Sequence, residues 1–110
     1  MRHKITLPQL KKYDITQKVI EALADAESRT ILFSMIHRGK TASNLSESLK
    51  IPLSSVYKKI SDLQELTLIQ VDSWQISEKG RKFKVYKSRI KNAEIKIKKP
   101  EPVLTLTPNI

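Results

Sequence analysis

Residues 41–71 read TASNLSESLKIPLSSVYKKISDLQELTLIQV, and this stretch decides the fold. Thr41 can accept from the first helical turn, and Leu45 and Leu49 then mark one buried face at a spacing of four. Ile51-Pro52 ends that helix, because a proline pushes the preceding residue out of the α region. Ser54 or Ser55 can cap a second helix, in which Val56, Ile60 and Leu63 share a face. The opposite face carries Ser54, Lys58, Ser61 and Glu65, flanked by Ser55, Lys59 and Asp62. At Leu68, Ile69 and Val71 the apolar period shortens from that of a helix to that of a strand.

Upstream, two more helices are expected. Asp14-Ile15-Thr16-Gln17 fits a capping box, after which Ile15, Val19, Leu23 and Ala26 line one face. Ser28 can cap a second helix holding Ile31, Leu32, Met35 and Ile36, with Gly39 as its left-handed stop and His37 in its last turn. A structural or solvated role is expected for His37, since no second metal ligand lies nearby. Residues 1–12 read as a basic arm.

Downstream, the strand begun at Leu68 should continue through Trp74 and Ile76 after a kink at Asp72-Ser73. Ser77-Glu78-Lys79-Gly80 is a turn, and Gly80 can take the positive φ that a tight hairpin requires. Arg81–Ile90 returns as a second strand, with Phe83 and Val85 on one face and Lys82, Lys84 and Tyr86 on the other. Trp74 is expected as a buried anchor between hairpin and helices, since one aromatic is no stacking platform. Two further alternating runs, Glu94–Lys98 and Val103–Thr107, can pair across the Lys99–Pro102 turn. A lone hairpin is marginal, so this one should dock on the first hairpin's sheet or pair with another subunit. Ile95, Ile97, Leu104 and Leu106 are then the dimerisation candidates of the tail, with Leu10, Val19 and the first helix as competitors.

Two short helices joined by a tight turn, with small polar and basic residues leading the second, describe a helix-turn-helix. In that motif the start of the second helix meets base edges in the major groove. The pattern Thr41-Ala42-Ser43-x-Leu45-x-x-x-Leu49-x-Ile51-Pro52-x-Ser54-x-Val56-Tyr57-x-x-Ile60-x-x-Leu63, followed by Leu68-Ile69, resembles the winged helix-turn-helix regulators, most closely the ArsR-like group. The resemblance covers roughly residues 14 to 90. It implies a DNA-binding transcription regulator, usually dimeric. It also places Ser54, Ser55, Tyr57 and Lys58 at base-reading positions and makes the basic hairpin after residue 77 the wing. Two features depart from the group. Its metal sensors use cysteine and histidine clusters, whereas this chain has no cysteine and only His3 and His37. Many members also end in a dimerising helix, where this C-terminal part reads as strand.

The charge is unevenly placed. Of a net +10, residues 79–99 carry ten bases against Glu94 alone, while residues 13–78 are slightly acidic. Clustered bases that follow a helix-turn-helix are the electrostatic footprint of nucleic-acid binding. Catalysis finds no support: the only glycines are Gly39 and Gly80, so there is no phosphate loop, and no carboxylates stand at metal-ligand spacing. No cofactor, metal or small-molecule substrate is indicated. Zero cysteines fit a reducing cytoplasm, and no apolar run approaches the ~18 residues of a membrane span.

The expectation is therefore an α+β chain in three parts. These are the basic arm (1–12), a winged helix-turn-helix domain (13–90) of about four helices and a wing hairpin, and a β-rich extension (91–110). Its expected partners are double-stranded DNA and a second copy of itself. The recognition helix spans about 54–66 and the wing about 74–89. Thr41, Ser43, Lys59, Lys79, Arg81, Lys82 and Lys84 would hold phosphates, and Ser54, Ser55, Tyr57 and Lys58 would meet bases. The alternative is a winged-helix interaction module of a larger transcription or chromatin assembly. An RNA binder lacks the aromatic pairs that splayed bases stack on.

Overall fold

The computed structural model describes residues 7–110, with side chains from residue 15 onward. Four helices precede four strands: α1 (Leu7–Ala24), α2 (Ala26–Ser34), α3 (Ala42–Leu49), α4 (Leu53–Glu65), β1 (Ile69–Ile76), β2 (Lys82–Ser88), β3 (Ile90–Lys96) and β4 (Val103–Pro108). The strands form two separate antiparallel sheets, β1 with β2 and β3 with β4. This is an α+β architecture, as expected.

The start of α1 differs from the expectation. The helix runs through Asp14 instead of beginning there, so the expected capping box opens nothing, and residues 7–12 of the expected arm are helical. The remainder of the arm, residues 1–6, lies outside the described residues, as does the side chain of Leu10. Val19 and Leu23 are buried, but Ile15 is 54% exposed and Ala26 belongs to the next helix. Val19 therefore serves this chain's own core and is not available as a dimer surface.

Only Asp25 separates α1 from α2, and side chains close both ends of the break. Asp25 is extended (φ −74°, ψ 119°) and its carboxylate accepts from the Ser28 N–H at 3.0 Å and from the Ser28 hydroxyl at 2.8 Å. The Arg29 guanidinium donates back to the Leu23 carbonyl at 2.6 Å, where α1 leaves its last acceptors unpaired. The cap of α2 is thus Asp25, not Ser28, which sits one turn inside and is buried. The helix also ends early, at Ser34. His37 consequently lies in an exposed bend beyond it rather than in its last turn.

Gly39 is not a left-handed stop, since Gly80 is the only glycine with positive φ among the described residues. Its role is close approach. A Cβ on Gly39 would lie 2.6 Å from Val85 Cγ1 and 3.2 Å from the Tyr86 carbonyl oxygen. That proximity lets Lys40 exchange both backbone hydrogen bonds with Tyr86, at 2.9 and 2.8 Å. One residue of the α2–α3 link is thereby bridged to β2.

α3 begins as expected at Thr41, with a reciprocal capping box to Asn44. It ends on Lys50 in the left-handed region (φ 58°), after which Pro52 starts α4. Neither Ser54 nor Ser55 caps α4, because the preceding residue is Pro52 and no side chain caps the helix. α4 closes on Thr67, again left-handed (φ 59°), with Thr67 N–H donating to the Gln64 carbonyl and Leu68 N–H to the Leu63 carbonyl. Those two bonds make a Schellman motif, which turns the chain directly into β1.

The core gathers one stripe from each element. Ile31 and Leu32 of α2 with Met35 just past its end, Leu45 of α3, and Val56, Ile60 and Leu63 of α4 are almost wholly inaccessible, together with Leu68 at the entry to β1. Leu49, expected on the same stripe, packs at its margin.

The kink at Asp72-Ser73 is a bulge: the β1–β2 register shifts between Val71 and Ser73. Gly80 takes the positive φ expected of it (79°) in the connecting turn. The return strand is not continuous to Ile90. It breaks at Arg89, between Ser88 and Ile90, where several elements meet. Ser88 N–H donates to the Met35 carbonyl at the end of α2, and Arg89 N–H to the Leu68 carbonyl. The Asn109 amide donates to the Ile36 and Ser88 carbonyls, both at 2.9 Å. The tail hairpin is thus anchored on its own chain at its base, with Ala93, Leu104 and Leu106 packed at the core's margin.

Candidate nucleic-acid interface

α4 is held by its apolar stripe, and what that stripe leaves outward is the candidate reading face. Ser54 is exposed, Ser55 half-buried, and Tyr57 is 49% exposed. Lys58 projects into solvent with 78% of its side chain exposed, 3.9 Å from Asp62 one turn on. Such an exposed pair contributes little and is easily exchanged for another anion. With no side-chain cap, the first N–H groups of α4 remain open at the same end of the helix.

Lys59 goes elsewhere. Its ammonium lies 2.8 Å from the Asp25 carboxylate, so the residue fastens α4 to the start of α2. The Lys59 hydrogen bond, with those from Ser28, lowers the Asp25 pKa from 3.8 to about 2. The same bond raises Lys59 above its ordinary value. Lys59 therefore drops out of the expected phosphate set. The sequence placed it on the flank of the helix, and the neighbouring helix decides which way a flank turns.

The β1–β2 hairpin supplies the second wall. Trp74 stands opposite Lys84 and Ile76 opposite Lys82, so the two lysines and the two apolar side chains share one face. Lys84 Nζ lies 5.8 Å from the centroid of the Trp74 ring, within cation–π range. Trp74 is 54% exposed, which corrects the buried-anchor expectation. The anchoring role falls instead to Tyr86, on the same face nearer the helices and only 6% exposed. Burial, with Tyr57 nearby, raises its phenol pKa above the ordinary value. Lys79 and Arg81 are exposed at the hairpin tip, where the Arg81 N–H donates to Ser77 Oγ.

These pieces enclose an open groove of about 340 Å³. Thr41, Ala42 and Ser43, at the start of α3, form one end, Tyr57 comes from α4, and Trp74, Lys82, Phe83, Lys84 and Tyr86 come from the hairpin. Five of the residues singled out from sequence therefore converge: Thr41, Ser43, Tyr57, Lys82 and Lys84. Thr41 is buried, its Oγ1 already accepting from the Asn44 N–H, so Ser43 is the exposed hydroxyl of this end. Ala42, Trp74, Phe83 and Tyr86 were not anticipated. For Trp74 the signal was available, because the bulge at Asp72 sets the parity that pairs it with Lys84.

No family model matches the chain, and no curated protein is significantly similar to it. Among the described residues, no group of three or more His, Cys, Asp or Glu side chains could hold a metal ion. No helix of the described residues is long and apolar enough to cross a membrane.

Proposed function

We propose that this chain is a sequence-specific, double-stranded DNA-binding transcription regulator of winged helix-turn-helix build, with α4 as recognition helix and the β1–β2 hairpin as wing. The observation that carries the reading is the groove in which the start of α3, Tyr57 of α4 and two hairpin lysines converge, with Ser54 and Lys58 exposed on α4 outside it. The order of elements supports it as well: helix, bridged residue at Lys40, two helices at a tight turn, then a basic hairpin. Lys79, Arg81, Lys82 and Lys84, with Ser43 and the first N–H groups of α3, would neutralise and position phosphates. Ser54, Ser55, Tyr57 and Lys58 would then lie against base edges, Lys58 exchanging Asp62 for guanine O6 and N7.

Lys58→Ala tests the reading role on a duplex selected from random sequence. Loss of about 1–3 kcal/mol on the selected site, with random DNA little affected, is the expected result. An equal loss on both duplexes would assign Lys58 to a phosphate and remove it from the base-reading set. A second reading, a winged-helix interaction module, is favoured by the exposed Leu53 and Tyr57 on α4, together with Asp62 and Glu65 further along it. It takes precedence if no duplex is retained at ~150 mM salt, since phosphate attraction underlies any DNA reading there.

A further inference from the structure

β4 is an edge strand with no charge on it. Its residues are Val103, Leu104, Thr105, Leu106, Thr107 and Pro108, and among the described elements it pairs with β3 alone. Exposed edges are usually guarded by lysines, bulges or a covering element, because their open N–H and C=O groups recruit other strands. In this hairpin the charges sit on β3 (Lys91, Glu94, Lys96) and around the turn (Lys98, Lys99, Glu101), away from the outer edge of β4. The apolar face is also incomplete. Leu104 pairs with Ile95 and Leu106 with Ala93, yet Ile95 remains 40% exposed and Ile97 74%.

We propose that the outer edge of β4 is a homodimerisation edge, pairing antiparallel with β4 of a second copy about a two-fold axis at Thr105. Charge selects that occupant. The chain carries +10, so two copies repel across most surfaces, and the uncharged edge is where they can approach. A partner recognised by charge finds no counter-charge there. The alternation is also self-complementary. Centring on Thr105 sets Leu104 against Leu106 of the second copy and Val103 against Thr107, so leucines meet leucines on one face. A slip of one residue would set leucine against threonine. The product is a closed four-stranded sheet, β3-β4-β4-β3, whose apolar face is continuous across both copies. One strand pair is small beside a standard interface of ~1,600 Å², so the association is reversible and concentration-dependent. This inference does not rest on the DNA reading.

The chain contains no cysteine, so a single introduced thiol reports on self-pairing alone. Thr105→Cys places two thiols directly opposite, with Cα atoms about 4.5–5.5 Å apart and within disulfide reach. Val103→Cys places them four residues out of register, roughly 13 Å apart and beyond reach. Under mild oxidation at ~100 µM protein, a concentration suited to a weak interface, Thr105→Cys should give a chain-doubled band at least tenfold faster than Val103→Cys. Thr105→Lys should sediment as a monomer with an unchanged circular dichroism spectrum, where the parent chain dimerises. Equal cross-linking of the two cysteine variants, or a monomeric parent chain at several hundred micromolar, would overturn the proposal. Adding Lys82→Ala and Lys84→Ala to the Thr105→Cys chain separates the readings: cross-linking persists whether or not DNA binding is lost.

Discussion

Asp25 joins two functions of the fold, and its titration exposes both. Its carboxylate caps α2 through Ser28 and receives the Lys59 ammonium of α4 at 2.8 Å. The folded-state pKa of about 2 lies below the ordinary 3.8, so the folded chain gives up this proton more readily than the unfolded one. The resulting stability is fully present above about pH 4 and is lost as the pH falls through 4 toward 2. Complete linkage over that interval would correspond to somewhat more than 2 kcal/mol at about 1.4 kcal/mol per pKa unit. The Asp25 side chain is 41% exposed, however, and solvent screening leaves about 1 kcal/mol. Asp25→Asn keeps an oxygen to accept from Ser28 but loses the charge. It should therefore cost about 1 kcal/mol at pH 7 and almost nothing at pH 2. Asp25→Ala removes the cap too and should cost about 1 kcal/mol more at neutral pH. Urea unfolding of the three chains at half-unit intervals from pH 2 to pH 7 provides the curves. If the parent and Asp25→Asn curves run parallel over the whole range, the pair does not hold α4 to α2. On the proposed DNA reading, in which α4 meets the bases, the Asn variant should also bind DNA with altered affinity at neutral pH, although Asp25 is not in the proposed contact set.

Three other changes probe the wing and two backbone devices. Lys82→Ala with Lys84→Ala should weaken binding to every duplex alike and reduce the slope of log K against log salt by about 0.9 for each phosphate no longer neutralised, which salt titration measures. An unchanged slope would take the hairpin off the DNA. Thr67→Gly relieves a branched residue held at φ 59°, and the gain net of glycine's entropy should be about 0.5–1 kcal/mol, read as a higher denaturation midpoint. A lower midpoint would mean the Thr67 side chain has a role the Schellman turn does not explain. Gly39→Ala pushes a methyl group against Val85 and the Tyr86 carbonyl, and should cost about 1–3 kcal/mol by thermal unfolding, with faster amide exchange at Lys40 and Tyr86. Protection as strong as in the parent chain would place the glycine's value elsewhere.

Much of the local structure was legible because it rests on interactions a few residues apart. The Thr41 cap, the break between α3 and α4 at Ile51-Pro52, the stripe of Val56, Ile60 and Leu63, the bulge after Val71 and the Gly80 turn all follow from side-chain period or backbone restriction. The misreadings fell where two local solutions compete. Ser28 and Asp25 can each cap the second helix, and the cap is Asp25, whose carboxylate also receives Lys59. Gly39 reads as a stop or as a close approach, and only the position of β2 separates the two.

By itself, then, the sequence determined an α+β chain with its amphipathic helices and paired strands, and it located the basic segment that follows them. Only the tertiary structure decided which exposed residues act together. Period states which side of an element is buried, but not which neighbour stands across from its flank. Lys58 and Lys59 are adjacent in sequence, yet one faces solvent and the other is drawn to Asp25, because a helix advances each residue by about 100° and a packed neighbour occupies only part of that circle. Trp74, Tyr57 and Ser43 likewise come from three elements with no local relation, and they meet only because the core sets those elements around one groove.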